Sequence, residues 1–576
     1  MLPPHLGPGG IRAIIALALF CSHAQASPPP ADTVFTGGAV YTLDAARRWV
    51  SAVAVRDGTI VYVGNDEGAR AFTGKHTRVV ALDGRMLLPA FQDSHAHASH
   101  VPNPATQLDL EGLKDREALF ARIRSFADMH RDAAWILGGG WDEAAFLPSG
   151  RPTRQMLDAL VPDRPVFLIN NSRHQAWVNS AALAAARITR DTPDPPNGEI
   201  VRDTSGEPGG NLQETAMFLV RDVVPPPTLA QRAADLQAAL ARMNAEGITS
   251  VVEAAADADT VAAYEELQRQ GTLGTRVRIC QRLDQNDRDD DAQIRRFVAA
   301  RARVEAGSRD GTLDANCVKI LLDGGYGSRS VALLEPYRIP ELGTGKLFVE
   351  PARMNRLVTR LDALGFQVHV HAIGDRSVRT ALDAIEEARS SNPHRGQPHT
   401  LAHLSLVDPV DVPRFRRLDV MPNMTPLWSR PDAWQTVFAV EMFGAKRAGE
   451  SYRTRDLAED AALLVWGSDW PVTGMATLAG IETAITHRHT GGRDGKGKED
   501  SAWNPGQRVS LEHAIAAYTS AGAALFGESE RRGAIEAGKD ADLVVLGRNL
   551  FDVPPLEIHA VTVDLTLRKG RVLWER

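Results

Sequence analysis

The chain has 576 residues, 43% hydrophobic and 24% charged, with a formal net charge of −7. That length allows a large core and more than one domain. The acidic balance and the lack of a basic run argue against nucleic acid as a partner.

The first predicted element lies outside the fold. Residues 1–26, MLPPHLGPGGIRAIIALALFCSHAQA, carry Arg12, an apolar run from Ile14 to Phe20, and Ala24-Gln25-Ala26. This is the layout of a secretory signal peptide cut after Ala26. The apolar run is far shorter than the ~20 residues of a spanning helix, and no later segment reads as transmembrane. The expectation is a periplasmic or secreted protein with no membrane contact once the signal is removed. A lipoprotein using Cys21 is disfavoured by bulky Phe20 before it, which leaves a retained anchor as the runner-up.

From 27 to 86 short β-rich runs alternate with turns, and Asp57-Gly58 and Asp83-Gly84 have hairpin chemistry. The same style returns at 531–576, with Lys569-Gly570 as its turn. One β-sandwich domain assembled from both termini is therefore expected, since two separate extensions would leave more sheet edges open. Between them, at 87–530, apolar runs recur eight times: MLLPAFQDS, ITSVVEAA, TRVRICQR, NCVKILLDG, FQVHVHA, HTLAHLSL, DVMPNMTP and ALLVWGSD. Helical segments intervene. Thr228 and Gln231 form a capping box before a helix that stops at Gly247, and Pro351 opens another that ends at Gly365. Strand and helix in alternation point to an α/β chain built as a distorted (β/α)8 barrel. No Gly-rich phosphate loop opens the series, as a doubly wound sheet would require. The stretch at about 100–245 is too long for a loop and reads as a lid-like insertion subdomain after the first barrel strand. His487 and His489, in a Gly-rich segment, read as solvated, and Cys280 and Cys317 as free buried thiols, although export would permit a disulfide.

In such a barrel, side chains at the C-terminal strand ends converge on one site. Alternate residues of a strand share a face, so Asp93, His95 and His97 point together. The other run ends add Lys319, Asp323, His369, His371, His403 and Asp469. Imidazoles, carboxylates and a lysine drawn from five strands are a poor core but a good ligand set. Such ligands suit Zn²⁺, which acidifies water and polarises a carbonyl, with a neighbouring carboxylate to carry the proton.

The segments FQDSHAH, VKILLDGGYGSRSVAL, VHVHAIGD, LAHLSLV, GSDWPV, RVSLEHAIAAYTSAGAALFG and GAIEAGKDADLVVL follow one another in an order that resembles the amidohydrolase superfamily, in its YtcJ-like branch. The resemblance covers nearly the whole mature chain. It implies the barrel with a composite β-sandwich, one or two divalent metal ions, usually zinc, and hydrolysis of an amide-type C–N bond. By that resemblance His95, His97, Lys319, His371, His403 and Asp469 are the metal ligands. Lys319 corresponds to a lysine that is carboxylated and bridging in two-metal relatives, and Asp469 to the catalytic proton shuttle. Branch members commonly place an acidic residue before the sixth-strand His, where this chain has Ala402.

Asp93 and His369 are assigned to the surrounding shell, His369 because it lies two residues, at about 3.3 Å each, deeper than His371. His174, Trp141, Tyr326, Trp428 and Trp470 are candidates for a substrate wall. The expected activity is a metal-dependent hydrolase acting on carbon–nitrogen bonds other than peptide bonds, with a small, partly apolar substrate. A cyclic amidine deaminase of the same superfamily and a non-catalytic ligand-binding barrel are the alternatives, and homo-oligomerisation stays open.

Overall fold

The computed structural model describes residues 28–576 except 102, 104–105, 114, 147–150, 171–174, 197, 309, 327–328, 394–395, 461–462 and 494–496. The signal segment and His174 therefore lie outside the described residues.

The central sheet consists of β1 (Phe91–Ala96), β2 (Ile248–Ala256), β3 (Arg276–Arg282), β4 (Leu313–Leu321), β5 (Gln367–Ala372), β6 (His399–His403), β7 (Val420–Met424) and β8 (Val465–Trp466). They lie side by side in chain order, and every ladder between them is parallel. The strands are buried almost throughout, as expected where helices cover one face and the barrel interior the other. Short β8 makes the barrel irregular. The seam between β8 and β1 is closed by Asp469 N–H donating to His95 O (2.7 Å) and Ser94 Oγ donating to Trp466 O (2.5 Å), and Asn423 Nδ2 on β7 reaches across to Ser94 O (2.7 Å).

The helix signals read from the sequence are present. Thr228 and Gln231 cap Leu229–Ala245 reciprocally, and Gly247 follows at φ +82°. Pro351 begins Pro351–Ala363. Among the described residues no helix is long and apolar enough to cross a membrane.

Both ends of the chain meet in one sheet, in the order Arg571–Glu575, Val563–Arg568, Leu543–Leu546, Met86–Pro89, Ala39–Tyr41 and Trp49–Val50. A four-stranded sheet from residues 33–81 packs on it, with Phe35, Val53, Ile60, Leu87, Leu543 and Leu565 between them. Two expectations shift here. The run MLLPAFQDS is two strands, since Met86–Pro89 pairs in the sandwich and only Phe91–Ala96 enters the barrel. Asp83-Gly84 is a turn, with φ of 51° and 80°, but the strands it joins belong to different sheets.

The insertion has a six-stranded sheet of its own, built from residues 108–214. Its core includes Leu119, Ile123, Phe126, Ile136 and Trp177. Trp141 belongs to this core: its side chain is fully buried and its Nε1 donates to Leu168 O (2.9 Å). It is not part of a substrate wall. Cys280 and Cys317, register partners on β3 and β4, are joined in a disulfide rather than left as thiols. His487 is also corrected. It is buried, and its Nδ1 lies 2.8 Å from Trp503 O.

Candidate metal centre

Alternation along β1 brings His95 and His97 to the inner face of the barrel mouth, and the turn after β8 brings Asp469 opposite them. Asp469 Oδ1 lies 3.4 Å from His95 Nε2 and 3.2 Å from His97 Nε2. Among the described residues, one donor atom from each of these side chains lies within 4.8 Å of the others. The backbone holds this geometry tightly. Asp93 Oδ1 accepts His95 N–H (3.1 Å) and Ser468 N–H (3.0 Å), and His97 N–H donates to Trp470 O (2.7 Å). Asp469 sits at φ +55° and His403 at φ +79°, both uncommon for residues with a side chain.

Further rings pack around His95. Its centroid is 4.7 Å from that of His369 and 4.8 Å from that of His403, which is in turn 4.4 Å from His371. Lys319 Nζ is 3.4 Å from His95 Nε2. His369 stands behind His95: its Nε2 is 2.8 Å from His95 Nδ1, and its Nδ1 is 2.7 Å from Thr400 Oγ1. Such ring-to-ring contacts fix the orientation and tautomer of a ligand imidazole. His371 Nε2 lies 3.5 Å from Gly324 O and 3.7 Å from Asp323 Oδ1.

Burial, and next the Lys319 charge, hold His95 and His369 well below the usual imidazole range and take His371 down to about 3. Burial also pushes His403 well down, helped by the His371 ring beside it. Burial brings the Lys319 ammonium down to about 7, against the pull of Asp469. Burial therefore favours the neutral forms of the His95, His371 and His403 rings and makes the Lys319 ammonium far easier to deprotonate than an ordinary lysine. His97 Nδ1 and His403 Nδ1 are buried with no hydrogen-bond partner among the described residues. Two imidazole Nε2 atoms, of His95 and His97, facing one Asp469 carboxylate oxygen fit a divalent cation. His95, His97 and Asp469 would hold it, with Lys319, His371 and His403 close by.

The candidates for a substrate wall separate. Trp428 lies parallel to the His403 ring, with centroids 5.0 Å apart. Tyr326 packs edge-on against Phe443. Trp470 is 3% exposed in the barrel core, with the Arg242 guanidinium 4.9 Å from its ring centroid, so it is packing rather than wall. Ala402 sits opposite His371 in the β5–β6 ladder. Sequence reading overlooked Thr400, Ser377 and Glu253. Thr400 and Ser377 signal themselves only as polar residues near a strand or helix start, where solvent usually satisfies such groups, and Glu253 only as a polar residue inside an apolar strand.

The profile of the amidohydrolase family matches residues 78–574. The chain is 29% identical over 552 residues to YtcJ of Bacillus subtilis, an amidohydrolase by name, covering 94% of this chain and 99% of that protein. It is 25% identical over 553 residues to the N-substituted formamide deformylase of Arthrobacter pascens, covering 95% and 98%. An uncharacterized metal-dependent hydrolase from Pyrococcus furiosus superposes with a TM-score of 0.70 at 26% identity, covering 91% of this chain and 99% of that one.

Proposed function

The chain belongs to the amidohydrolase family, and from that premise we propose that it hydrolyses an amide-type C–N bond in a small, partly apolar substrate. The observation that carries this reading is Asp469 Oδ1 within 3.4 Å of two ligand-type imidazole nitrogens from another strand. A divalent ion held there, zinc in the simplest case, supplies Lewis acidity toward a carbonyl and toward water. Asp469 takes the proton from the attacking water and returns it to the departing nitrogen, as a carboxylate in hydrogen-bond reach of both can do. His369 and Asp93 keep His95 in place. Lys319, whose ammonium burial brings down to about 7, is disposed to add CO₂ and lose a proton, giving a carbamate that would offer oxygen ligands to a divalent ion. Trp428 and Tyr326 offer apolar surface to the substituent on nitrogen, in keeping with the formamide deformylase among the relatives.

We place the protein outside the cytoplasm, in the periplasm or secreted. The Cys280–Cys317 disulfide supports that placement, because such bonds persist in oxidising compartments.

The test is a metal-replete screen of N-substituted formamides, N-acyl amines, lactones and cyclic ureas, with bound metal quantified. The expected result is at least one equivalent of divalent metal per chain and amide turnover lost in chelator. Protein without metal that keeps full activity in chelator refutes the proposal. Ammonia released from cyclic amidines without amide turnover would select deamination instead.

A further inference from the structure

β2 contributes no residue to the cluster of candidate ligands, yet it carries a completely buried carboxylate. Glu253 is 0% exposed. Its Oε1 accepts the Ser99 hydroxyl (3.0 Å), and its Oε2 accepts Ser99 N–H (3.2 Å) and the Tyr264 hydroxyl (2.8 Å). No lysine or arginine among the described residues forms an ion pair with it. Burial pushes its carboxyl upward, and the His97 imidazole is the leading opposing influence. An unpaired buried carboxylate is costly, so its retention calls for a reason.

Its position supplies one. Ser99 lies in the short 3-10 turn Ala98–His100, and His97 is the N-cap of that turn. On its other side, His97 N–H is fixed to Trp470 O just beyond β8. His97 is thus suspended between the two strands that flank β1, with Asp469 as the anchor on one side and Glu253 on the other.

We propose that Glu253 is a positioning residue for the metal centre: through its two hydrogen bonds to Ser99 it locks the turn that carries His97. The proposal rests on the reading of His97 as a ligand. Partners of ligand residues typically change metal affinity by about 10- to 100-fold when removed.

The experiment is a Co²⁺ titration of chelator-stripped full-length protein, followed by visible absorption, with thermal unfolding recorded in parallel. Glu253→Gln is expected to bind Co²⁺ about 10- to 100-fold more weakly, with altered bands and a cooperative unfolding transition. Ser99→Ala, which removes one hydrogen bond and no charge, is expected to show a smaller loss in the same direction and covers the case in which Glu253→Gln fails to fold. Glu482→Gln is the control. Glu482 is equally buried but holds Gly491 and His559 away from the cluster. Its substitution should lower the Tm and leave Co²⁺ affinity unchanged. Wild-type Co²⁺ affinity and bands in a folded Glu253→Gln, or in Ser99→Ala if the former does not fold, overturn the proposal. Wild-type protein that takes up no Co²⁺ would instead overturn the metal-centre reading beneath it.

Discussion

At the scale of single residues, histidines in this chain take distinct roles according to what faces them. His399, at the start of β6, is no candidate ligand. Its Nδ1 accepts Val368 N–H (3.1 Å), which leaves Nε2–H to donate to Asp362 Oδ1 (3.1 Å). Arg389 and Asn392 also bond to Asp362. Burial works against the Asp362 anion, but the bonds from His399 and Asn392 and the Arg389 charge hold its pKa down to about 2, from an ordinary 3.8. Burial likewise depresses His399 below 6.5. Both folded values lie below the unfolded ones, so both groups contribute stability above the unfolded pKa and lose it as pH falls. The His399 contribution fades below about pH 6.5 and the Asp362 contribution between about pH 4 and 2. Asp362→Asn should be less stable at neutral pH and should lose less stability than wild type between pH 4 and 2. Urea unfolding across that range is the measurement, and equal slopes for the two proteins would contradict the assignment.

Elements, rather than residues, explain how the mouth of the barrel is held. Asp323, just beyond β4, accepts N–H groups from Ala332 (3.1 Å), Ile373 (3.0 Å) and Gly374 (2.9 Å) and the Ser377 hydroxyl (2.8 Å). It thereby ties the loop after β4 to the turn after β5 and to the start of the helix Asp375–Ser391. Burial raises its carboxyl to about 6 in spite of these bonds. Asp323→Asn turns an amide NH₂ toward backbone donors, and one unsatisfied buried group of this kind costs about 1–3 kcal/mol. The expected outcome is a loss of that size in urea unfolding; a change under 0.5 kcal/mol, roughly the scatter of neutral surface substitutions, would show that the loops are held elsewhere. The element scale also marks what the sequence could reveal. His95, His97, His371, His403 and Asp469 were legible because strand alternation and eight recurring apolar runs fix which residues share a face and an end. Asp93 and His369, behind His95, follow from the same alternation, whereas Glu253 and Thr400 do not. Glu253 reads as an ordinary polar strand residue until Ser99 and Tyr264 are seen to close over it. Trp141 reads as a wall residue because it lies in the lid-like insertion, whereas it ends a strand with Gly140 at φ +88° that buries the indole. The break inside MLLPAFQDS was hidden because both halves are extended and fully buried and only their pairing partners differ.

At the scale of the whole molecule, the disulfide links folding to compartment. Cys280 and Cys317 lie in an apolar cluster with Val252, Met421, Val465, Leu525 and Phe526. Strands β2, β3, β4, β7 and β8 and the helix Ser520–Leu525 therefore meet around the bond, two residues before Lys319 on β4. The bridge spans a sequence separation of 37. In the chain-entropy picture, closing a loop of that length in the unfolded state raises stability by about 4 kcal/mol, which is an upper figure where the unfolded chain keeps structure. Cys280→Ala with Cys317→Ala should therefore lose up to about 4 kcal/mol, and wild type under strong reductant should lose a similar amount once the bond is opened from the unfolded state. Most of the loss belongs to the unfolded chain, so the double variant that still folds should keep its barrel and its metal affinity. Urea unfolding of oxidised, reduced and double-variant protein, with metal content measured on each, separates the two effects. Equal stability of all three would show that the bond does not constrain the unfolded chain, whereas metal lost with the bond would mean that β4 relies on it to place Lys319.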